Sequence, residues 1–334
     1  MIKSNGHIPL IAIEEHFLTE EVIQAWDRAN LSATDPSLAH NAGVIGQRLL
    51  DVSQGRVELM DEAGVDVQVL SLTTPALHEL GPESINIAKR CNDAIAETIA
   101  RHPGRFQGFA TLPVVDPEAA ALELERCVKT LGFKGTMLGG RVGDRNLDHP
   151  DFAPIFESAS ALHVPIGLHP RTPPMAVREA YYSGVDPDLE IALATYGLGW
   201  HYDAGVQFVR LLVSGLFDRL PELQLILGHW GEMVLFFSER LAALGRTAKL
   251  NKPVTDYLKS NLYVTASGMF SANYLARAAS IVGKDRLLFS TDFPYQYRPG
   301  HDARRFLHEC GLEGDDLAAF AHGNWDRLTK NCGK

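Results

Sequence analysis

The chain alternates between short apolar segments and longer segments with helical periodicity, and this alternation constrains the fold more than any other feature. Eight apolar runs rich in Val, Ile and Leu are candidate strands: 10–13, 67–72, 106–112, 135–138, 164–168, 224–227, 262–266 and 286–290. The candidate helices are 55–63, 83–101, 117–131, 153–162, 203–217, 232–244, 271–282 and a tail from residue 302 onward. Strands that alternate with helices pair in parallel. Eight such units predict an α/β fold, a closed (β/α)8 or TIM barrel rather than an open sheet.

Two segments interrupt the alternation, and each of them follows a candidate strand. Residues 18–50 come after the first strand and have no clean periodicity, and residues 171–199 come after the fifth and carry prolines, glycines and tyrosines. Barrel enzymes build their active sites at the carboxyl ends of the strands, so we expect both insertions to form the walls of a pocket. The sequence contains no repeat and no convincing linker, so the whole chain, 1–334, is predicted to be a single barrel domain.

Composition and charge exclude several classes of protein. A hydrophobic fraction of 46% and a charged fraction of 22% are ordinary for a soluble globular protein. The net charge of -10 argues against a nucleic-acid surface. No apolar segment reaches the length of a membrane span, and the amino terminus lacks the pattern of a signal peptide, so we expect a cytoplasmic protein. The four cysteines form no CxxC pair, which excludes a thiolate zinc site and a redox motif.

Residues suited to metal binding stand at the ends of several candidate strands. They are Glu14 and His16 after the first strand, His169 after the fifth, His229 and Glu232 after the sixth, and Asp292 after the eighth. Glu14 and His16 are two positions apart, so in extended backbone they point to the same face. The strand ends of a closed barrel converge on one axis, which would gather these imidazole and carboxylate groups. Such a mixed nitrogen and oxygen site suits Zn²⁺ or Mn²⁺ better than Ca²⁺ or Cu⁺.

Each of these residues has a structural interpretation when it is taken alone. A histidine at a strand end is more often a hydrogen-bonded structural residue than a metal ligand. Asp292 could cap the turn that follows it, and Glu232 could be a first-turn carboxylate favoured by a helix dipole. Their joint occurrence at the ends of alternating strands favours the metal site.

The sequences at four strand ends are similar to those of a known superfamily. These sequences are Glu14–Phe17, Leu168–Arg171, Leu227–Glu232 and Phe289–Pro294. They resemble the amidohydrolase superfamily, and more narrowly its non-oxidative decarboxylases, which include the γ-resorcylate, 2,3-dihydroxybenzoate and aminocarboxymuconate semialdehyde decarboxylases. The stretches 105–110 and 214–218 are similar to that branch as well, so the resemblance covers nearly the whole chain.

The resemblance implies a role for each strand-end residue and for two others. The ligands of one divalent ion would be Glu14, His16, His169 and Asp292. His229 would lie beside the ion and assist proton transfer or bind substrate, and Glu232 would support His229. Arg240 would bind a carboxylate group, either in its own chain or across a subunit interface. Trp200 would lie against the substrate ring. We therefore expect a homodimer or a homotetramer.

One departure from the wider superfamily predicts a single ion per chain. Members that hold two ions commonly carry His-x-His on the first strand and a bridging lysine at the end of the fourth. Here the first of these positions is Glu14, and the nearby Lys134 precedes the fourth strand. We therefore predict one Zn²⁺ or Mn²⁺. The glycine-rich stretch 139–143 lacks the GxGxxG spacing, so no organic cofactor is expected.

The resemblance implies a carbon–carbon lyase, namely a metal-dependent decarboxylase, and the chemistry of the strand-end residues fits an aromatic acid with adjacent carboxylate and hydroxyl groups. The difficult step is protonation of the ring carbon, and Asp292 or His229 could supply that proton. The alternative is a hydrolase in which the same ion activates water against a lactone, ester or amide, with Asp292 as the base. A barrel that only binds a small ligand is a third possibility, and the convergence of acid and base groups argues against it.

Overall fold

The computed structural model describes residues 7–334, and eight parallel strands of this part form a closed barrel. The strands are β1 (Ile11–Phe17), β2 (Val67–Leu72), β3 (Phe106–Gly108), β4 (Thr136–Gly139), β5 (Ile166–His169), β6 (Leu225–Leu227), β7 (Leu262–Thr265) and β8 (Leu287–Leu288). They form two sheets, β1-β2-β3 and β4-β5-β6-β7-β8. Parallel bridges join the sheets at both seams, from Ala110 to Thr136 and from Glu15 to Phe293. The prediction of a TIM barrel is confirmed.

Helices connect the strands. They are α1 (Glu20–Arg28), α2 (Gly43–Leu50), α3 (Gln54–Ala63), α4 (Ser84–Arg101), α5 (Pro117–Lys129), α6 (Ala153–Ala161), α7 (Met175–Tyr181), α8 (Pro187–Ala194), α9 (Gly199–Val213), α10 (Leu216–Arg219), α11 (Ser238–Leu241), α12 (Leu244–Thr247), α13 (Val254–Ser260), α14 (Ala272–Val282), α15 (Asp302–Glu309), α16 (Gly314–Ala318) and α17 (Asn324–Thr329). Short 3₁₀ turns are Leu31–Ala33, Pro36–Asn41, Pro150–Phe152 and Lys284–Arg286, and Ala319–Gly323 is a π-helical turn. Within the described residues, no helix combines the length and the apolar character that crossing a membrane requires.

Two apolar cores lie on the two faces of the barrel sheet. Successive residues of a strand point to opposite faces, so Ile226 packs in a small cluster inside the barrel whereas Leu225 and Leu227 belong to the larger outer core. The inner cluster also contains Ile11, Ile13, Val69, Phe109, Tyr263, Leu288 and Trp325. Trp325, from α17, donates from Nε1 to Oε1 of Gln107 at 2.9 Å. The barrel interior is therefore a packed core, and the polar residues gather at the carboxyl ends of the strands.

The two insertions contain helices, which the sequence analysis did not predict. Residues 18–50 include α1 and α2, and residues 171–199 include α7 and α8. In α1 the buried residues Val22, Ala25 and Trp26 have the spacing of one helix face. The expectation of no periodicity is therefore wrong for this insertion.

The helix predicted over 232–244 is replaced by a left-handed turn followed by the short helices α11 and α12. The turn comprises residues 229–233, and its φ angles are 47° at His229, 56° at Trp230, 94° at Gly231, 47° at Glu232 and 68° at Met233. A right-handed helix requires negative φ at every position. The apolar run 233–237 has the composition of a helix, but its backbone N–H groups make turn contacts instead. That of Val234 donates to the carbonyl oxygen of Gly231, and those of Phe236 and Phe237 donate to that of Met233.

Candidate active site

Glu14, His16 and His169 bring three potential metal-binding atoms together at the carboxyl ends of β1 and β5. One ligand atom from each of these side chains lies within 4.8 Å of the other two. Glu14 and His16 lie inside β1, because this strand continues to Phe17 and is longer than predicted. His169 is the last residue of β5. All three side chains are buried.

Asp292 joins these residues from the segment that follows β8. Its Oδ1 lies 3.3 Å from Nε2 of His16. Its φ of 57° lies in the left-handed region, where residues other than glycine are uncommon and often functional. The four predicted ligands are therefore neighbours, and we call Glu14, His16, His169 and Asp292 the ligand cluster.

The ring nitrogens of the two histidines are arranged for metal binding. Nδ1 of His169 donates to the carbonyl oxygen of Pro170 at 2.8 Å, which leaves an unprotonated Nε2 at 3.9 Å from Oε1 of Glu14. Nε2 of His16 is buried and has no hydrogen-bond partner within residues 7–334. A buried polar atom without a partner is unfavourable, and a divalent ion between these groups would supply one.

Burial also gives the cluster the charge state that a divalent ion requires. It lowers the pKa of His16 to about 4 and that of His169 to about 3, so both rings are neutral at pH 7. Neutral imidazole is the form that binds metal. Burial and the adjacent Glu14 carboxylate raise the pKa of Asp292 well above its usual value. A cation would relieve the repulsion between the two carboxylates, so the donor set fits one ion of the Zn²⁺ or Mn²⁺ type.

Glu14 is held by residues at the ends of β6 and β7. Thr265 donates from Oγ1 to Oε2 of Glu14 at 2.9 Å, and the hydroxyl of Ser267 donates to the same oxygen. Gly228 follows β6 and leaves room for the carboxylate. A Cβ at this position would lie 2.9 Å from Oε1 of Glu14 and 2.7 Å from Oγ of Ser267. Glycine at 228 therefore permits the close approach of Glu14 to the β6 backbone.

A second group of titratable residues, which we call the histidine–glutamate cluster, consists of His229, Glu232 and His201. Nδ1 of His229 lies 2.5 Å from Oε1 of Glu232, and Nδ1 of His201 lies 2.8 Å from Oε2. Burial alone would lower the pKa of His229, but the Glu232 charge and hydrogen bond outweigh it and raise this pKa to about 10. Burial would likewise raise the pKa of Glu232, but the two histidines lower it to about 2. The charges of Glu14 and Asp292 also act on His229, which places the two clusters side by side.

The left-handed turn presents His229 to the site and depends on support from β7. Left-handed backbone costs roughly 1–2 kcal/mol for each residue other than glycine. The backbone N–H of His229 donates to Oγ of Ser267 at 2.8 Å, and that of Trp230 donates to the carbonyl oxygen of Thr265 at 2.9 Å. Ser267 and Thr265 thus hold both Glu14 and the turn. Strained backbone of this kind is concentrated at functional sites.

Glu15 and Arg56 form a buried network behind β1 that the sequence analysis missed. Gln68 donates to Oε2 of Glu15 at 3.0 Å, and Thr291 donates to Glu15 from its backbone N–H at 2.7 Å and from its hydroxyl at 2.5 Å. Arg56 is 0% exposed and donates to Gln68 and to the carbonyl oxygen of His16, both at 2.7 Å. Burial raises the pKa of Glu15 to about 8. The network fixes β1 against β2 and against the segment after β8.

Tyr295 and His201 are two further residues near the site that sequence reasoning missed. The ring of Tyr295 lies 5.6 Å from that of His16, and its hydroxyl donates to Oδ1 of Asn41 at 2.5 Å. His201 lies in α9, just after the insertion 171–199, between the aromatic residues Trp200 and Tyr202, so in the sequence it resembles a packing residue. Its partner, Glu232, is evident only in the folded chain, where α9 packs against the turn that follows β6.

Arg240 and Trp200 do not contact either cluster through a hydrogen bond or a ring contact within the described residues. Arg240 lies in α11 and is exposed. Trp200 lies in α9 beside His201 in sequence, with its ring centroid 5.7 Å from that of His40. Their predicted roles in substrate binding stay predictions.

The apolar run 233–237 is only partly buried. Val234 and Leu235 are buried, whereas Phe236 is 74% exposed and Phe237 is 39% exposed. A cavity of about 340 Å³ lies beside Phe236, and His201 and His229 line the same cavity. The helices around the barrel therefore do not bury the whole of the run 233–237 within the single chain.

Comparison with known proteins agrees with this geometry. The sequence model of the family described as Amidohydrolase matches residues 39–328. The chain belongs to the amidohydrolase family. Its relatives include the γ-resorcylate decarboxylase of Polaromonas sp. strain JS666, which is 39% identical over 302 residues that cover 86% of this chain and 88% of the relative.

Solved structures of decarboxylases share the fold of this amidohydrolase. The 5-carboxyvanillate decarboxylase of Novosphingobium aromaticivorans, complexed with manganese and 4-hydroxy-3-methoxy-5-nitrobenzoic acid, has a TM-score of 0.88 and 31% identity over 96% of each chain. The dihydroxybenzoic acid decarboxylase of Polaromonas sp. JS666, with bound manganese and 2-nitroresorcinol, has a TM-score of 0.83 and 34% identity over 97% of each chain. The predicted resemblance to the non-oxidative decarboxylases is confirmed.

Proposed function

We propose that this chain is a metal-dependent, non-oxidative decarboxylase of a benzoic acid with a hydroxyl group ortho to the carboxylate. The observation that carries the proposal is the ligand cluster beside the histidine–glutamate cluster. The relatives bear out a metal-dependent decarboxylase of hydroxylated aromatic acids, since they include γ-resorcylate and dihydroxybenzoate decarboxylases, the latter with bound manganese.

In this proposal the four residues of the ligand cluster hold one divalent ion. When bound, such an ion would supply a positive charge that attracts the substrate oxygens and stabilises negative charge on the ring. Two neutral imidazole nitrogens and two carboxylates suit Mn²⁺ and Zn²⁺ alike. Manganese in the related solved structures supports the first of these ions.

The chain's own residues must then deliver a proton to the ring carbon that carries the carboxylate. Once that carbon is protonated, its bond to the carboxylate breaks, CO₂ leaves, and the bonding electrons restore the aromatic ring. His229 holds a proton at neutral pH, because Glu232 raises the pKa of His229 to about 10. Asp292, whose pKa burial raises, is the other candidate donor. Nδ1 of His229 is engaged by Glu232, so Nε2 is the atom free to face the substrate.

The test is a panel of hydroxybenzoates assayed with enzyme that carries Mn²⁺ or Zn²⁺. Loss of ring-carboxylate absorbance together with CO₂ release is expected for at least one acid that has an ortho hydroxyl group. Esters, lactones and amides form the comparison panel. Cleavage of those compounds with no reaction of any hydroxybenzoate would assign the chain to the hydrolases.

The exposed apolar surface near α11 supports a homodimer or homotetramer. Phe236, Phe237, Met269 and Tyr274 are all more than one third exposed in the single chain. Arg240 follows Phe236 and Phe237 closely in sequence and is exposed as well. A second copy packed on this surface would cover the aromatic side chains and would place Arg240 at the interface between the two copies.

Four further predictions from the sequence are part of this proposal: a single domain over residues 1–334, a cytoplasmic location, no organic cofactor, and contact of Trp200 with the substrate ring. Residues 1–6 of that domain lie outside the described part of the chain.

A further inference from the structure

Glu232 lies between two histidines that come from different parts of the barrel. Its Oε1 faces Nδ1 of His229 at 2.5 Å, and its Oε2 faces Nδ1 of His201 at 2.8 Å. The other ring nitrogen of His201, Nε2, lies 3.1 Å from the carbonyl oxygen of Tyr196. The rings of His201 and His229 are 4.6 Å apart at an angle of 65°. Both carboxylate oxygens of Glu232 are therefore occupied by imidazoles.

The hydrogen-bond partners of His201 determine where its protons lie. A carbonyl oxygen can only accept, so Nε2 of His201 carries a proton for Tyr196. A carboxylate oxygen also accepts, so a second proton must lie between Nδ1 of His201 and Glu232. His201 and Glu232 together therefore hold one proton more than a neutral imidazole and a carboxylate would. Glu232, whose pKa the two histidines lower to about 2, is the acceptor in this hydrogen bond.

We propose that His201 is a positioning residue, which holds Glu232 through this hydrogen bond and thereby directs Nε2 of His229 toward the substrate. The inference rests on the proposed function and extends it to a residue outside the strand-end motifs. By occupying Oε2, His201 leaves Oε1 as the acceptor for Nδ1 of His229. The ring of His229 then keeps one orientation and one set of protons while its Nε2 serves the reaction.

The packing of α9 makes this contact possible. Gly205 lies one helical turn after His201, on the same face of α9. A Cβ at position 205 would collide with the backbone carbonyl oxygen of Glu232. Glycine therefore lets α9 approach the left-handed turn closely, and His201 reaches the Glu232 carboxylate from the preceding turn of the helix.

The loss of His201 should change how tightly His229 holds its proton. The charged and titratable groups that act on His229 or face it are Glu232 on its own turn, His201 on α9, Glu14 and His16 on β1, His169 on β5 and Asp292 after β8. Without the proton of His201, the full negative charge of Glu232 acts on His229 alone. The pKa of His229 then rises, and the protonated ring becomes a weaker acid.

The test compares His201→Phe, His201→Gln and Tyr202→Phe in the metal-loaded enzyme. Phenylalanine keeps a ring but has no N–H group, glutamine keeps one donor for Glu232, and Tyr202 is a half-exposed neighbour on α9 that serves as control. We expect His201→Phe to lower kcat about 10-fold or more while KM and metal content change little, and to move the alkaline limb of kcat up by roughly one pH unit. His201→Gln should recover part of kcat, and the control should match the parent enzyme.

A second readout makes the proposal independent of the reaction. In protein labelled with ¹⁵N-histidine, the titration of the His229 ring should move upward in His201→Phe by about the same interval as the activity limb. An unchanged His229 titration, or loss of metal in His201→Phe, would overturn the positioning role. If no hydroxybenzoate reacts with the parent enzyme, the proposed decarboxylation fails, and the ¹⁵N titration alone decides the role of His201.

Discussion

The two clusters at the carboxyl end of the barrel are built on different kinds of backbone. Three of the four proposed ligands lie within strands β1 and β5, where parallel pairing fixes their positions. His229 and Glu232 lie on a turn whose five residues all have positive φ. A strand position follows from register, whereas a left-handed turn must be held by its neighbours. Three positions of the ligand cluster are thus set by the barrel strands, whereas Asp292 has left-handed backbone like His229 and Glu232. The histidine–glutamate cluster depends on contacts from the end of β7 and from α9.

The largest effect is expected when a metal ligand is removed, which tests the ligand cluster. Asp292→Ala removes one carboxylate from a buried site and should lower turnover by roughly 10³-fold or more, because the charge stabilisation by the ion is lost. Elemental analysis should find one ion per parent chain and less in the variant. Two tightly bound ions per parent chain, or none under any loading condition, would contradict the one-ion site.

Removal of the proton-holding group should affect turnover without affecting the metal. His229→Asn should retain the ion and lower kcat by roughly 10² or more. In the parent enzyme Glu232 raises the pKa of His229 to about 10, so the proton is present at neutral pH and is lost as pH rises through that value. The parent profile should therefore fall on the alkaline side, and the variant should lack this limb. Loss of metal from His229→Asn would make His229 a ligand.

The difference in backbone also explains how much could be predicted from the sequence. Glu14 and His16 could be predicted because their spacing of two residues at the end of a strand is enough to place both side chains on one face. Glu15 and Arg56 could not be predicted, because their contacts join distant segments of the chain. Arg56 donates to His16, 40 positions away, and Gln68 donates to Glu15, 53 positions away. His201 could not be predicted either, since its contact with Glu232 requires the close approach of α9. The run 233–237 was wrongly predicted to be helical. Its apolar composition gives no sign that the preceding residues form a left-handed turn, which is stabilised by the hydrogen bond from His229 N–H to Ser267.

Two glycines allow contacts of each cluster to be perturbed in turn, beginning with Gly228, which borders Glu14 and Ser267. Gly228→Ala would place a Cβ 2.9 Å from Oε1 of Glu14, so the carboxylate must move. Overpacking of this kind costs about 1–3 kcal/mol, and we expect metal affinity to fall about 10-fold or more. The measurement is the dissociation constant of Mn²⁺ for the parent enzyme and for the variant. Unchanged affinity would show that Gly228 does not set the position of Glu14.

The matching change at the other cluster is Gly205→Ala, which should push α9 away from Glu232. We expect kcat to fall by about 10-fold with metal content unchanged, since overpacking of about 1–3 kcal/mol displaces His201 and not a ligand. Gly323→Ala is the control, because a Cβ there makes an ordinary contact at 3.5 Å. Loss of metal in Gly205→Ala would mean that the two clusters are not separable.

The smallest effect on the chemistry is expected at the exposed aromatic surface. Phe236→Glu replaces a side chain that is 74% exposed in the single chain, so it should not unfold the barrel. If this surface joins two copies, the variant should dissociate in light scattering, while the parent remains a dimer or tetramer at assay concentration. A fully active parent that is strictly monomeric would contradict the proposed assembly.

The most direct test of the central claim is decarboxylation of 2,6-dihydroxybenzoate in D₂O by enzyme with one divalent ion per chain. The ligand cluster and the adjacent proton donor predict one CO₂ released and one deuteron incorporated at the ring carbon that carried the carboxylate, with no requirement for oxygen or an added organic cofactor. The account would be contradicted if no ortho-hydroxybenzoate released CO₂ while the same metal-loaded enzyme cleaved a lactone or an amide.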